Sequence, residues 1–348
     1  MSRRSLTLII ASIGTAAAIA VSVLIPVPYV ILGPGPTLNT IGKDTSGQEL
    51  ITIDGHQTYP TSGNLNMVTV SYAGGPGQKI NIWGALAAWV NSNEAVVPES
   101  ELFPPGQSQQ EAQQQDTAEM NSSQEVATAA AFTYLHIPYQ TFITVEGTAQ
   151  GYPAAGVLKD GDIITAVNNT PVTSDNDLQQ QIRSHPAGAK LNVTVLRGGK
   201  SEHFEIATKE SAATGNVPII GVNIEDQYKF PFSVKFDLGS DIGGPSAGTM
   251  FALGIIDKLT ADNLTGGKFI AGTGEITPNG QVQAIGGIQQ KMVGAHNAGA
   301  TIFLAPASNC SDVKGAIPSG LRVVKISTLS QAVTYLDDIK DGKSVPSC

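Results

Sequence analysis

A serine hydroxyl is a weak nucleophile until a base takes its proton, and a lysine can act as that base only when it is uncharged. Residues suited to both roles are present. Ser246 stands in Gly243-Gly244-Pro245-Ser246-Ala247-Gly248, between a strand-like run, Phe232 to Phe236, and an apolar small-residue stretch from Thr249 to about Ile256 that reads as a helix. The glycines permit a sharp strand-to-helix turn, and Pro245 lacks an N–H that such a turn would leave unused. Ser246 is therefore expected at the helix start, where unpaired N–H groups and the helix dipole favour a developing oxyanion. The amides of Ser246 and Gly244 are the expected donors. A serine there is also an ordinary helix cap, so this motif alone decides nothing.

Lys291 lies on a second expected helix, Ile288 to Ala298, opened by Gly286-Gly287. Ile288, Met292 and Ala295 form its apolar stripe, and Lys291 sits on the flank. An ordinary lysine, with a pKa of about 10.4, is neutral roughly once in 2,500 molecules near pH 7. A general base needs a value near 7 to 8, a change of about 4 kcal/mol that burial can supply. On spacing alone the same lysine fits the surface of an amphipathic helix.

The elements that must position this pair are short and turn-rich. With 38 glycines and 20 prolines in 348 residues, the chain reads as α+β rather than as a helical bundle. Strands are expected near Leu50 to Ile53, Asn64 to Tyr72 and Phe269 to Ala271, and a short helix over Ile80 to Asn91. Gln107 to Gln124 is polar and reads as a helix or a loop, running into the alanine-rich helix Val126 to Leu135. Gly272-Thr273-Gly274-Glu275 closes a strand, and Asn279-Gly280 makes a hairpin turn. Glu275 can either orient Lys291 or end the turn, and the turn is the simpler reading.

GGPSAG at 243–248, TGEITPNGQVQAIGG at 273–287 and Lys291 resemble, in order and spacing, the proteolytic domain of Lon-type serine–lysine peptidases. The resemblance runs from Phe232 to at least Leu304. It implies Ser246 as nucleophile, Lys291 as base and Thr273 as the residue holding the lysine, with Gly244 in support. The sequence departs from the cytoplasmic Lon pattern in having Ile242-Gly243 directly before GPSAG where an acidic residue is usual, with Asp241 one step further back. Neither Gly199-Lys200-Ser201 nor Gly342-Lys343-Ser344 has the glycine a phosphate-binding loop requires, so no ATP and no other cofactor is expected. The five histidines show no paired metal-ligand spacing, and no metal is expected.

Between the two parts of that domain the texture changes. Phe142 to Glu146 reads as a strand and Ala154 as the opening of a short helix. Lys159 to Asp162 follows as a turn, then Ile163 to Val167 as a strand and Asp175 to Ser184 as a helix. Leu191 to Leu196 and His203 to Ile206 read as a hairpin about Gly198-Gly199. Ala154-Ala155-Gly156, Leu158, Gly161-Asp162, Ile164 and Asn168-Asn169 resemble a PDZ domain of the bacterial protease type, which captures peptides by adding a strand to a sheet edge. No peptide-contacting residue is legible.

At the N-terminus, Arg3 and Arg4 precede an uncharged apolar run from Leu6 to about Val27, long enough to span a bilayer core of about 30 Å. The arginines are expected to stay in the cytoplasm, which places the rest of the chain outside. The alternative is a cleaved signal peptide with its small residues at Ala16 to Ala20, although the run stays apolar beyond them. In an exported chain the two cysteines, Cys310 and Cys348, are expected as a disulfide, with free thiols as the alternative. A net charge of −9 with no basic cluster argues against nucleic-acid partners.

The expected organisation is a cytoplasmic tip (1–5), a transmembrane anchor (6–27), the first part of the proteolytic domain (28–135), a PDZ-like domain (136–210) and the remainder of the proteolytic domain (211–348). The resemblance points to the exported, anchored gram-positive branch. It implies an ATP-independent endopeptidase acting on unfolded or extended proteins, attached to the membrane and assembled as a ring, though a trimer or monomer also fits. The alternative is a catalytically inert PDZ scaffold on the outer membrane face.

Overall fold

The computed structural model describes residues 3–43, 47–211, 215–239 and 242–348. Asp241, the displaced acidic residue, and Met1 and Ser2 of the tip lie outside them. The chain divides into two compact units, one formed by Met1–Ile137 with Phe232–Cys348 and the other by Pro138–Pro231.

The first unit is built on a six-stranded mixed sheet in the order Arg322–Ile326, Ile302–Pro306, Phe269–Gly272, Asn64–Ala73, Tyr29–Asn39, Ala95–Pro98. The first four run parallel, and the last two junctions are antiparallel. Ile302–Pro306 is buried throughout, as suits a parallel strand covered on both faces. Helix Gly248–Leu259 is likewise buried along its whole length. It packs against helix Gln109–Tyr134. That long helix settles the sequence alternative for 107–124. Ser108 and Glu111 form a reciprocal capping box, and the Gln- and Glu-rich turns continue into the buried stretch Ala127–Phe132 without a break. Cys310 and Cys348 are bonded as a disulfide that ties the last residue to this unit.

The second unit is an antiparallel sheet in the order Lys200–Ala207, Lys190–Arg197, Ile163–Val167, Gln140–Thr148, Val222–Lys229, with helix Asp175–Arg183 packed over it. It reaches Pro231, farther than the expected limit at 210, because Val222–Lys229 completes the sheet at the Gln140–Thr148 edge. The expected short helix at Ala154 is instead a series of turns. Leu158 donates to Ala154 O at 3.1 Å, but Gly156, at φ 75°, prevents the helix from continuing. The Gly161-Asp162 signature is structural. The Asp162 carboxylate accepts from the Lys159 N–H and pairs with Arg197, which holds its pKa below the usual carboxylate range.

Near the N-terminus, Arg4–Leu24 is long and apolar enough to cross a membrane, and none of it is buried against the rest of the chain. The chain is thus α+β, with one N-terminal helix compatible with a single-pass anchor.

Candidate active site

Ser246 precedes helix Gly248–Leu259, whose N-cap is Ala247, so it stands just ahead of the helix rather than in its first turn. Its backbone is clamped by the Thr273-Gly274 turn. Gly274 N–H donates to Ser246 O at 2.8 Å, Thr249 N–H donates back to Gly274 O at 2.9 Å, and Thr273 Oγ1 donates to Ser246 O at 2.9 Å. Gly274 is required in this clamp. At φ 145°, a Cβ there would meet Thr249 Oγ1 at 2.7 Å and Val282 at 2.8 Å. From the other side Ser123, on the long helix, donates to Pro245 O at 3.0 Å.

Lys291 comes from helix Ile288–Asn297, which starts where Gly287, at φ 66°, turns the chain in the left-handed region. It is 3% exposed, far more buried than a flank position implies, because the helix lies against the strands Tyr29–Asn39 and Asn64–Ala73. Its Nζ is 2.6 Å from Ser246 Oγ and 3.0 Å from Thr273 Oγ1. Burial lowers its pKa from 10.5 to about 7.

The hydrogen bonding at Thr273 follows from donor arithmetic. Its single hydroxyl proton goes to the Ser246 carbonyl, so toward Lys291 it can only accept. One amine N–H is thereby fixed on Thr273, and the lone pair of a neutral amine is left to accept the Ser246 proton. Glu275 is not among the hydrogen-bond partners of Lys291. It pairs with Gln283 in a two-residue strand, and burial followed by the charge of Glu119 raises its pKa.

Gly244 departs from expectation. Its N–H donates to Asp116 O at 3.1 Å, and so is not free to receive an oxyanion. The cause is the long helix, which the sequence left unplaced. It runs so close to the loop that a Cβ on Gly243 would fall 2.5 Å from Asp116 Cβ. The Ser246 amide has no acceptor among the described residues and remains the available donor.

A cleft of about 580 Å³ opens before the pair, lined by Val68, Tyr72, Asp116, Met120 and Ile242 among others. Burial, then the neighbouring Glu119, raises the Asp116 pKa. Tyr72 is raised by burial and by Asp116.

In the second unit a smaller pocket of about 220 Å³ lies between Leu178 and Ile182 of the helix and the stretch Ile220, Gly221, Val222 and Ile224. Val222–Lys229 forms the outer edge of its sheet there. The readable signal was the apolar-Gly-apolar step Ile220-Gly221-Val222, which lies past the boundary expected at 210.

Residues 240–339 match the model of the Lon protease (S16) C-terminal proteolytic domain, and residues 117–208 match that of the PDZ domain. Lon protease 1 of Bacillus subtilis is 27% identical over 182 residues, half of this chain and 22% of that protein. The Lon protease of Clostridioides difficile is 37% identical over 125 residues, 33% of this chain and 15% of that protein. The Lon protease of Neorickettsia sennetsu is 31% identical over 121 residues, 31% of this chain and 14% of that protein. The matched stretches therefore span less than a quarter of these relatives. Among solved structures, the PDZ domain of an SdrC-like protein from Listeria monocytogenes aligns at 26% identity, covering 24% of this chain and 85% of that one, with a TM-score of 0.22. A solution structure from Geobacillus thermodenitrificans aligns at 28% identity over 24% of this chain and 94% of that one, with a TM-score of 0.22.

Proposed function

We propose that this chain, which carries a Lon-type proteolytic domain and a PDZ domain, is a membrane-anchored serine endopeptidase that works outside the cell without ATP. The observation carrying this reading is the 2.6 Å approach of Lys291 Nζ to Ser246 Oγ in a niche that favours the neutral amine. Ser246 Oγ attacks a peptide carbonyl as its proton passes to Lys291 Nζ. The tetrahedral oxyanion is held by the Ser246 N–H, and by the Gly244 N–H once the Asp116 carbonyl releases it. The Lys291 ammonium then protonates the leaving amine, and the C–N bond breaks to give an acyl-Ser246 ester. Water, deprotonated by the now neutral Lys291, hydrolyses that ester and restores the serine.

The other parts of the reading rest on separate features. Arg3 and Arg4 ahead of the apolar run favour a cytoplasmic N-terminus and an outer catalytic unit. On this ATP-independent reading, substrates are unfolded, short or already cut. The apolar groove between helix Asp175–Arg183 and Val222–Lys229, the outermost strand of its sheet, suits recruitment of an extended peptide.

The inert-scaffold reading draws on one contact, the Gly244–Asp116 hydrogen bond that occupies an oxyanion donor. Turnover of an unfolded reporter by the full-length chain in detergent separates the two. Ser246→Ala and Lys291→Met are each expected to lower kcat/KM by at least about 10³-fold. Unchanged turnover in either variant, or none in the parent together with no acyl-probe label on Ser246, overturns the peptidase reading.

A further inference from the structure

Helix Ile82–Val90 is built inside out for a protein in water. Its sequence is IWGALAAWV, and no charged residue occurs from Ile80 to Asn93. Three of its four small residues face the protein: Ala88 is 2% exposed, and Gly84 and Ala85 are half-buried. The large ones face outward. Ile82, Trp83, Leu86, Trp89 and Val90 fall at the i, i+3/i+4, i+7 spacing of one helix face, and Trp89 and Val90 are 74% and 77% exposed. Large apolar side chains gathered on one exposed face mark a surface meant to be covered.

The structure also shows what stands next to that face. Ile80-Asn81, immediately before the helix, pairs antiparallel with Pro26-Val27, immediately after the apolar N-terminal helix Arg3–Leu24. Trp83 Nε1 donates to Ser22 Oγ at 2.8 Å, in the last turn of that helix. The 21 residues Arg4–Leu24 rise about 31 Å, the thickness of a bilayer core, so the level of Ser22 is where hydrocarbon gives way to headgroups. Trp83 is hydrogen-bonded at that level. Tryptophan favours this zone because its ring is apolar while its N–H needs a partner. The nearest charged side chain before the helix, Lys79, is turned to Glu99 at 2.6 Å.

We propose that helix Ile82–Val90 is a second membrane contact, with Ile82, Leu86, Trp89 and Val90 immersed in the outer interface of the bilayer that the N-terminal helix crosses. The occupant of the face is lipid, because the face is continuous with the lipid-facing surface of the anchor. This inference rests on the anchor reading under Proposed function. Its consequence is positional: a chain held at two points keeps its proteolytic unit against the membrane surface instead of trailing on a flexible stalk.

The chain has two tryptophans, Trp83 and Trp89, and both are on this helix, so indole fluorescence reports it alone. The full-length protein is reconstituted into phosphatidylcholine–phosphatidylglycerol vesicles with or without acyl-chain bromine, and recovery by flotation is measured in parallel. Trp83→Phe and Trp89→Phe assign the signal to each ring. Supporting results are flotation, a blue-shifted emission strongly lost to bromolipid, and protection from aqueous iodide. Flotation with iodide quenching and no bromolipid effect overturns the inference and leaves the anchor standing. Flotation with protection from both quenchers means that protein covers the face, in a second copy or a partner, and also overturns it. Failure to float overturns the anchor reading and this one with it.

Discussion

The state of Lys291 can be read from stability as well as from rate. Burial lowers its pKa in the folded chain from 10.5 to about 7, so between those values the unfolded chain binds more protons than the folded one. The stability of the parent should therefore rise with pH across that window relative to a variant lacking the amine. Below pH 7 both states are protonated, and the ammonium costs the fold about 5 kcal/mol; by pH 9 the cost falls to about 2 kcal/mol. Lys291→Met removes that cost and keeps most of the packing. It also loses the contacts to Ser246 and Thr273, each worth about 1 kcal/mol at any pH. Lys291→Met is thus expected to be more stable than the parent by roughly 3 kcal/mol at pH 6, and about equal at pH 9. The pH-dependent part, about 3 kcal/mol, is free of the packing terms because these cancel between the two pH values. Thermal unfolding of the full-length pair in detergent, followed by circular dichroism, should show it as a variant-minus-parent Tm difference that shrinks by roughly 6–12 °C from pH 6 to pH 9. A difference that stays the same at both pH values would mean that Lys291 titrates like an exposed lysine, and the general-base argument would fail with it.

Four further outcomes follow from the same geometry. kcat/KM should rise with pH along a limb centred near 7, the value for Lys291 in the free enzyme, and a limb nearer 10 contradicts its burial. Thr273→Val should cut kcat by about 10-fold or more with little change in KM, while Thr273→Ser restores most of the loss; equal losses in both variants would reduce Thr273 to a packing role. Arg197→Met leaves Asp162 buried without its partner and should destabilise the second unit by about 3 kcal/mol, seen as a lower urea midpoint. Reducing the Cys310–Cys348 bridge, which closes a loop with a sequence separation of 38, should cost the first unit about 4 kcal/mol in the chain-entropy model, read as a fall in Tm with dithiothreitol that Cys348→Ser reproduces.

Much of the site was legible because its parts are local. A glycine-flanked serine before an apolar helix, a Thr-Gly turn and a lysine four residues after a Gly-Gly pair are each set by a few neighbouring residues. Turn chemistry and helical periodicity place each of them on its element, but alone they leave an ordinary helix cap and a surface lysine; the resemblance to Lon-type domains is what joins them into one expected site. The N-terminal apolar run that follows Arg4 is local in the same way, since its length and lack of charge are properties of a single segment.

What the sequence left open are meetings between distant segments. Lys291 is 45 residues from Ser246, and its burial depends on strands far earlier in the chain that cover it, which a helical wheel places only at the edge of the apolar stripe. Gly244 reads as an oxyanion donor until the helix from Gln109 takes its N–H, and nothing near residue 244 announces Asp116. The groove of the second unit pairs the helix Asp175–Arg183 with residues 218–224, past the point where the local signature faded. Helix Ile82–Val90 was readable as a helix, but its sequence is apolar nearly all round. Only the packed neighbours decide that Ala88 faces inward and the tryptophans outward. Spacing along the chain determines which side chains an element can present, whereas burial and hydrogen-bond partners depend on what the rest of the fold brings to that face.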